Sequence, residues 1–370
     1  MTLDFATIKK YHAACKPEES LEPFDPRNLD MDDLSAGDNP VRGYRWASRL
    51  ARSIIMSDTP VTKLCTGMPG SGITTELKRL TKRLSEQGNL LPLYIDAHEY
   101  MDLTNPIDVT DVLMAVLYGA EYGMAEAEGG DLETVLETGY FRRLWGWLQT
   151  ETELSKLQVG IPSAGKLVLE MKTRPDLRAQ VRKAVASHFS RFHAEICAEL
   201  IKLQVRAKKL GKDGVIILLD SVEKLQGIST NWHEVLESAE RVFVSNMHFL
   251  ELPVNVLYTV PPSLTSRVRK TELEFLPMIK VRDRMGQDHE AGIDMAQQLV
   301  LKRIDEPGLE GILGNNWQQR LRKIITGSGG YPREILQILQ ELLLADDFPI
   351  RDTDFRRALN RFTDPFSNIV

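Results

Sequence analysis

Hydrophobic and polar positions follow two patterns along the chain. Apolar runs at 61–65, 91–96, 215–220 and 254–260 are short and bounded by turn residues, which predicts buried strands. Between them, apolar residues recur three or four positions apart, as they do over 109–122, which predicts helices. Strands that alternate with helices are typical of a parallel sheet. The predicted fold class is therefore α/β.

Other segments of this α/β pattern are less regular. A helix predicted over 44–56 leads into the first strand, and a fifth strand is predicted at 277–281. Residues 126–212 interrupt the strand–helix rhythm. They predict a helix around 140–148 and a short hairpin formed by 157–160 and 167–169.

A long apolar stripe begins after Pro175. It predicts one helical pattern of about 30 residues, since apolar side chains recur every three or four positions up to Leu203. Six basic residues against two acidic ones fall in 166–183. A nucleic-acid or partner surface and a solvated helix face both explain this charge.

These patterns divide the chain into three parts. We expect an acidic arm at 1–40, an α/β nucleotide-binding domain at 41–290 with an insertion at about 126–212, and a helical lid at 291–370. The arm holds nine acidic and four basic residues, which accounts for most of the formal charge of −6. Either a solvated leader or a strap that binds a partner would have this composition.

Composition narrows the class of protein. The hydrophobic content of 42% is ample for a buried core. Cys15, Cys65 and Cys197 lack C-x-x-C spacing, and the seven histidines form no metal-binding pattern, so neither a disulfide framework nor a zinc site is expected. No apolar run reaches the roughly 18–20 residues of a membrane span. We expect a cytoplasmic protein without a signal peptide or a membrane anchor.

One glycine-rich stretch carries a recognisable chemistry. Gly67, Gly72 and Thr74 have the spacing of G-x-x-x-x-G-K-[ST], between an apolar run and a helical pattern. In that motif backbone N–H groups surround phosphates, the lysine reaches the β- and γ-phosphates, and the hydroxyl binds Mg²⁺. A structural glycine turn is the alternative. The predicted nucleotide-binding residues are Gly67, Pro69, Gly70, Ser71, Gly72, Ile73, Thr74 and Thr75.

The lysine of the motif is replaced by Ile73. A charge-assisted hydrogen bond contributes about 1.5–3 kcal/mol, so nucleotide affinity should fall about 10- to 100-fold. Hydrolysis should fall further because transition-state charge is less stabilised. Engineered inactivation and natural degeneration both account for the replacement.

A second set of polar residues stands at predicted strand ends. Asp220 closes a buried strand, as expected of a carboxylate that holds Mg²⁺ beside a phosphate loop. Glu223 is either a general base or a solvent-facing side chain. Thr259 either orients the attacking water or bonds to backbone. The metal ligands predicted here are Thr74 and Asp220.

Arginines supply the last element of the predicted site. Arg333 follows Gly329, Gly330 and Pro332, which predicts a sharp turn into a helix with the guanidinium at its start. Other arginines could reach a phosphate of a neighbouring subunit, because guanidinium donates in a bidentate manner and stays charged. These are Arg267, Arg269, Arg282 and Arg284.

Together the segments GMPGSGITT, VIILLDSVEK, NVLYTVPP and GGYPREI resemble the AAA+ class of P-loop ATPases, in particular its origin-recognition-like and STAND branches. The resemblance covers the chain from about Tyr44 onwards. It implies ATP and Mg²⁺ as ligands, with these segments as Walker A, Walker B, sensor 1 and sensor 2. Ile73 and Ser221, which stands where ring ATPases often have glutamate, depart from the pattern and imply impaired hydrolysis.

The segments GSGITTELKRL, YIDAHEY, LLDSVEKL and LYTVPP also resemble a group of uncharacterised bacterial ATP-binding proteins, and members of such groups often act in conflict or defence operons. Three functions follow from these observations. The first is an oligomeric ATP-controlled switch or remodeller that acts on a partner protein, for example one encoded in the same operon. The second is a nucleic-acid-binding ATPase of the initiator or transposition-regulator type. The third is a nucleotide-free scaffold.

Overall fold

The structure is a computed structural model that describes residues 3–34, 40–130, 142–143, 146–147 and 166–363. It is an α/β protein with a five-stranded parallel sheet. The strands are β1 (Thr62–Gly67), β2 (Leu90–Asp96), β3 (Gly214–Asp220), β4 (Asn255–Thr259) and β5 (Leu273–Leu276). The α/β prediction and the first four predicted strands are confirmed.

Helices account for most of the remaining described chain. Along the first part they are α1 (Phe5–Ala14), α2 (Met31–Leu34), α3 (Trp46–Ile55), α4 (Ile73–Gly88), α5 (Ala97–Tyr100), α6 (Val109–Ala127), α7 (Leu167–Thr173), α8 (Pro175–Ala186) and α9 (Phe189–Lys209). They continue with α10 (Trp232–Glu240), α11 (Glu290–Leu301), α12 (Glu306–Leu313), α13 (Trp317–Gly327), α14 (Pro332–Leu342) and α15 (Asp352–Thr363).

The strand order across the sheet is β2–β3–β4–β1–β5. Register pairs Asp96 with Asp220 and Cys65 with Thr259. Because the strands are parallel, their carboxyl ends share one edge of the sheet, where open α/β sheets bind ligands. Asp220 and Thr259 both stand at this edge.

The fifth strand lies earlier than predicted. It spans Leu273–Leu276, and the predicted segment 277–281 is not a strand. Pro277 has no N–H for a sheet hydrogen bond. The following N–H groups have other acceptors: Ile279 donates to the carbonyl of Gly330 at 3.3 Å, and Lys280 donates to that of Val41 at 2.8 Å.

Two predictions in the insertion differ from the structure. Residues 167–169, predicted as half of a hairpin, begin helix α7; the other half, 157–160, lies outside the described residues, as does most of the helix predicted around 140–148. The long apolar stripe is two helices, α8 and α9, separated at Ser187 and His188. The periodicity of three to four continues across the break, so the pattern did not reveal it.

By internal contacts the chain divides into two compact units. Unit 1 contains 1–49, 67–80 and 276–370; unit 2 contains 50–66 and 81–275. The core of unit 2 forms around the sheet, where all seven residues of β3 are buried and α6 and α9 pack together. Their apolar faces explain why these helices form there.

The core of unit 1 joins the N-terminal arm to the C-terminal helices. Tyr11, Leu29 and Met31 of the arm belong to the same apolar cluster as Leu321 and Ile335. The Tyr11 hydroxyl also donates to the Asp305 carboxylate at 2.6 Å. The arm is therefore packed on its own chain over much of its length.

Candidate functional site

The glycine-rich loop of unit 1 runs from the end of β1 to the start of α4. Gly70 and Gly72 have φ values of 88° and 86°, which side chains other than glycine rarely adopt. A Cβ on Gly67 would lie only 2.6 Å from Ser71 Oγ. Glycine is thus required at Gly70 and Gly72 by the backbone angle and at Gly67 by the lack of space for a side chain. The loop ends at the first turn of a 16-residue helix. Unpaired N–H groups at such a helix start favour an anion.

Ile73 is the first residue of α4 and is only 7% exposed. An apolar side chain is thus buried at the position where the motif has its lysine. Thr74 and Thr75 follow in the first turn, both half-buried. The Thr75 hydroxyl accepts a hydrogen bond from the Leu21 N–H of the arm at 3.3 Å. Of the two threonines, Thr74 has the position expected of a metal ligand.

Arg333 lies against this loop. The predicted turn is confirmed, since Gly329 and Gly330 have positive φ and Pro332 opens α14. The Arg333 N–H donates to the Gly70 carbonyl at 3.4 Å, and a Cβ on Gly70 would lie 3.0 Å from the Arg333 Cβ. Absence of a side chain at Gly70 thus makes room for Arg333.

The guanidinium of Arg333 is only partly satisfied. Its Nη2 lies 3.3 Å from Glu18 Oε2 of the arm, an ion pair whose carboxylate is 72% exposed. Its buried Nε has no hydrogen-bond acceptor among the described residues. A buried donor without a partner is costly, so a further acceptor beside the loop would stabilise it.

Arg42 was missed by the sequence analysis. This arginine is only 3% exposed and donates through Nη2 to the Ser71 carbonyl at 3.0 Å and through Nη1 to the Pro277 carbonyl. Glu76 Oε1 of α4 lies 3.7 Å from Nη2. Burial lowers the pKa of Arg42, yet arginine remains charged at physiological pH. No local motif marks this residue.

The arm contacts α4 through further polar groups. Lys78 pairs with Glu22 at 2.6 Å, and the buried Arg79 donates to the Leu29 carbonyl at 2.7 Å. Arg79 also pairs with Glu76 at 2.6 Å. The segment is not a purely solvated leader, because its acidic and carbonyl groups bind the loop helix; a strap that binds a partner stays a prediction.

Unit 2 carries the predicted carboxylates at the sheet edge. Asp220 is fully buried, and its Oδ2 accepts a 2.5 Å hydrogen bond from the Tyr94 hydroxyl on β2. Its Oδ1 has no partner among the described residues, and neither has Oε2 of Glu223. Burial and the Asp220 charge raise the pKa of Glu223 above its ordinary value. The structure brings these two acids together.

Tyr94 is a second residue that the sequence analysis did not select. Burial, followed by the charge of Asp220, raises the pKa of the Tyr94 phenol, so it stays a neutral donor. The available signal was a tyrosine inside an apolar strand, since a buried phenol usually has a hydrogen-bond partner.

Thr259 is 1% exposed at the end of β4. Its hydroxyl accepts from the Val222 N–H at 2.9 Å and lies 3.5 Å from the Leu219 carbonyl. These bonds fix the turn that follows β3. In that turn Ser221 adopts φ 71°, a left-handed conformation that is strained for serine, and its hydroxyl accepts from Lys224 at 3.0 Å.

Most arginines proposed to act on a neighbouring subunit have partners within the chain. Arg267 pairs with Glu240 at 2.6 Å, Arg269 lies 3.4 Å from Glu272, and Arg282 donates to the Gly286 carbonyl at 3.0 Å. Arg284 is exposed and forms no ion pair within the described ranges. Among these four arginines, Arg284 is therefore the one without an ion pair or hydrogen bond to another described residue.

The three arginines of the basic segment 166–183 have acidic partners within the chain. Arg178 pairs with Asp102 at 3.0 Å, Arg182 pairs with the buried Asp111, and Arg174 lies 3.6 Å from Glu170. Bases that hold intramolecular partners are weak phosphate contacts. These pairs favour the helix-face interpretation over a nucleic-acid surface.

No group of three or more His, Cys, Asp or Glu side chains in the described part of the chain could hold a metal ion. Nor do the described helices include one with the length and apolar character of a membrane span.

Comparison with known proteins gives no family assignment. A scan against protein-family models finds no match for this chain. A search of curated proteins likewise finds no significantly similar sequence.

Proposed function

We propose that this chain is an ATP-binding P-loop protein of the AAA+ type that acts as an oligomeric, nucleotide-controlled switch on a partner protein. The observation that carries the proposal is the loop at 67–72. It joins a strand with neighbours on both sides to the N-terminus of a long helix, and the second glycine of the motif, Gly72, has a positive φ.

The loop of unit 1 suits a polyphosphate. Glycines in such a loop let backbone N–H groups approach phosphate oxygens, and the helix N-terminus adds a favourable dipole. Arg333 brings a guanidinium with an unused buried donor to Gly70. We assign Gly67, Gly70, Gly72 and Thr75 to the nucleotide-binding loop, and Arg333 to the terminal phosphate.

The carboxylates of unit 2 suit Mg²⁺. A buried Asp220 oxygen without a partner is the kind of hard ligand that this ion prefers. Asp220 would be a ligand of the ion, which supplies charge neutralisation on the phosphates when bound. Tyr94 fixes the orientation of the Asp220 carboxylate through its hydrogen bond.

Glu223 is the candidate proton acceptor for an attacking water. It follows the metal-side carboxylate by three residues, and one of its oxygens is shielded without a partner. Thr259 anchors the turn that carries both acids. Its role in the proposal is therefore to position that turn rather than to contact water.

In this proposal, Ile73 lowers the rate of ATP hydrolysis more than it lowers the affinity for ATP. The missing charge-assisted bond costs about 1.5–3 kcal/mol of ground-state binding, which leaves measurable affinity. The same loss acts on the transition state, where the phosphates carry more localised charge. We propose that this chain binds ATP and hydrolyses it slowly, which suits a switch better than a processive motor.

Nucleotide binding tests the proposal directly. Isothermal titration of the protein with ATP and ADP in Mg²⁺ should give saturable binding that Gly72→Ala abolishes, because alanine strains a residue at φ 86°. Gly286→Ala is the matched control, since Gly286 has φ 79°, belongs to the same unit and likewise has open space at its Cβ. Absence of binding by the unaltered protein would refute the proposal.

The second candidate, a nucleic-acid-binding ATPase, has less support because the three arginines of the basic segment 166–183 pair with acidic residues of the same chain. A salt-dependent gel shift with DNA and RNA distinguishes the two. Strong binding whose affinity falls steeply with salt would favour the nucleic-acid function.

A further inference from the structure

Arg42 is placed where it can control the conformation of the phosphate loop. It lies just after the arm in the sequence, and its guanidinium reaches the Ser71 carbonyl at 3.0 Å, the Pro277 carbonyl and, through Nε, the Met31 sulfur at 3.3 Å. It thus contacts three separate stretches of unit 1, and its contacts with Ser71 and Met31 are buried.

The contact with Ser71 determines the direction of one peptide group. In a trans peptide the C=O and the next N–H point in opposite directions. Since the Ser71 carbonyl points toward Arg42, the Gly72 N–H points away from Arg42. Gly72 has φ 86°, so no side chain restricts this peptide, which could otherwise rotate.

The Ser71 side chain is enclosed, although its hydroxyl has no hydrogen-bond partner among the described residues. Ser71 is fully buried, and a Cβ on Gly67 would lie 2.6 Å from the Ser71 Oγ. Arg42 therefore holds the carbonyl of a residue whose side chain is already enclosed. Removal of the guanidinium would leave the Ser71 carbonyl without this donor and free the peptide to reorient.

Charge alone does not explain the placement of Arg42. Glu76 lies 3.7 Å from Arg42 and 2.6 Å from Arg79, and all three side chains are buried. The buried Asp32 adds a second carboxylate, so two cations and two carboxylates nearly cancel. The influence of Arg42 on a bound anion must therefore come mainly from geometry.

We infer that Arg42 is a positioning residue that fixes the Ser71–Gly72 peptide in the orientation that binds phosphate. The inference rests on the proposed nucleotide-binding function and adds to it a buried residue outside the motif. Backbone N–H groups of such a loop serve the phosphates that ADP and ATP share. Loss of Arg42 should therefore weaken the binding of ADP and ATP equally. Loss of a contact to the terminal phosphate would weaken only the binding of ATP.

Two variants at position 42 and one control test this inference. Arg42→Met removes both hydrogen-bond donation and charge, while Arg42→Lys keeps the charge beside Glu76 but lacks the planar fork that serves Ser71 and Pro277 together. Arg79→Met is the control, because Arg79 is equally buried, contacts Glu76 and the arm, and makes no hydrogen bond to the loop. Titration calorimetry with ADP and ATP gives the affinities, and melting curves show that each variant folds.

We expect Arg42→Met to weaken ADP and ATP alike, by about tenfold, the equivalent of one hydrogen bond. Arg42→Lys should lower the affinity for both nucleotides about threefold or more. The affinity of Arg79→Met should stay within about twofold of the original value. Glycine-selective ¹⁵N spectra should show a shifted Gly72 amide in both Arg42 variants and an unchanged one in Arg79→Met. If Arg42→Met does not fold, Arg42→Lys and the Gly72 amide decide the question.

Original affinity for both nucleotides in Arg42→Lys would overturn the inference, because charge would then suffice. Equal losses in Arg79→Met would also overturn it, since they would reflect general destabilisation. Failure of the unaltered protein to bind either nucleotide would instead refute the proposed function, and this inference with it. The two failures are therefore distinguishable.

Discussion

Replacement of Arg333 by methionine should separate stability from nucleotide sensing. Methionine keeps an apolar stem against Gly70 and the backbone N–H that bonds to the Gly70 carbonyl. It loses the 3.3 Å ion pair with Glu18, whose two side chains are 35% and 72% exposed. Exposed pairs of this kind contribute at most about 1 kcal/mol, so stability without nucleotide should change by less than that.

With ATP the expected effect is larger. A guanidinium bond to a terminal phosphate contributes about 1.5–3 kcal/mol, so Arg333→Met should weaken ATP about 10- to 100-fold. At an ATP concentration of about 100 times the original Kd, ligand binding stabilises the folded state by about 2.7 kcal/mol. That stabilisation should fall to about 0.4–1.4 kcal/mol in the variant, whereas the effect of ADP should not change.

Denaturant unfolding with ATP, ADP and no nucleotide measures these quantities, with calorimetric Kd values as a second measurement. Glu18→Gln is the matched control, because it removes the same ion pair and leaves the guanidinium; its ATP affinity should be unchanged or higher. Equal losses for ATP and ADP in Arg333→Met would refute the assignment to a terminal phosphate. So would a loss of several kcal/mol without nucleotide, which would make Arg333 a structural residue.

Three further outcomes are expected. Ile73→Lys should create Mg²⁺-dependent ATPase activity, and Asp220→Asn added to it should remove that activity; a folded Ile73→Lys protein without any gain, also when mixed with its partner, would contradict the role given to Ile73. In the Ile73→Lys background, Tyr94→Phe should raise the Mg²⁺ concentration needed for half-maximal activity about 10-fold or more, whereas Tyr118→Phe, at another buried tyrosine, should not. Arg284→Ala should reduce hydrolysis but not ATP binding, because the guanidinium would act on a neighbouring subunit; full activity of a monomer in analytical ultracentrifugation would count against this.

Local features of the protein follow from the sequence alone. The first four strands and the helix that begins at Pro332 arise from apolar runs and from residues with restricted backbone angles. The positive φ of Gly70 and Gly72 agrees with a phosphate loop for the same reason. Such features depend on a few neighbouring residues, so a single sequence contains the information that they require.

Only the tertiary structure determined which residues far apart in the sequence contact each other. Arg42 and Ser71 are 29 residues apart, and Tyr94 and Asp220 are 126 apart, so no local pattern could pair them. Segment 277–281 has the apolar character of a strand, yet its N–H groups bond to Gly330 and Val41 outside the sheet. Sequence periodicity reports which side chains must be buried, whereas the identity of the group that each one meets depends on how the whole chain packs.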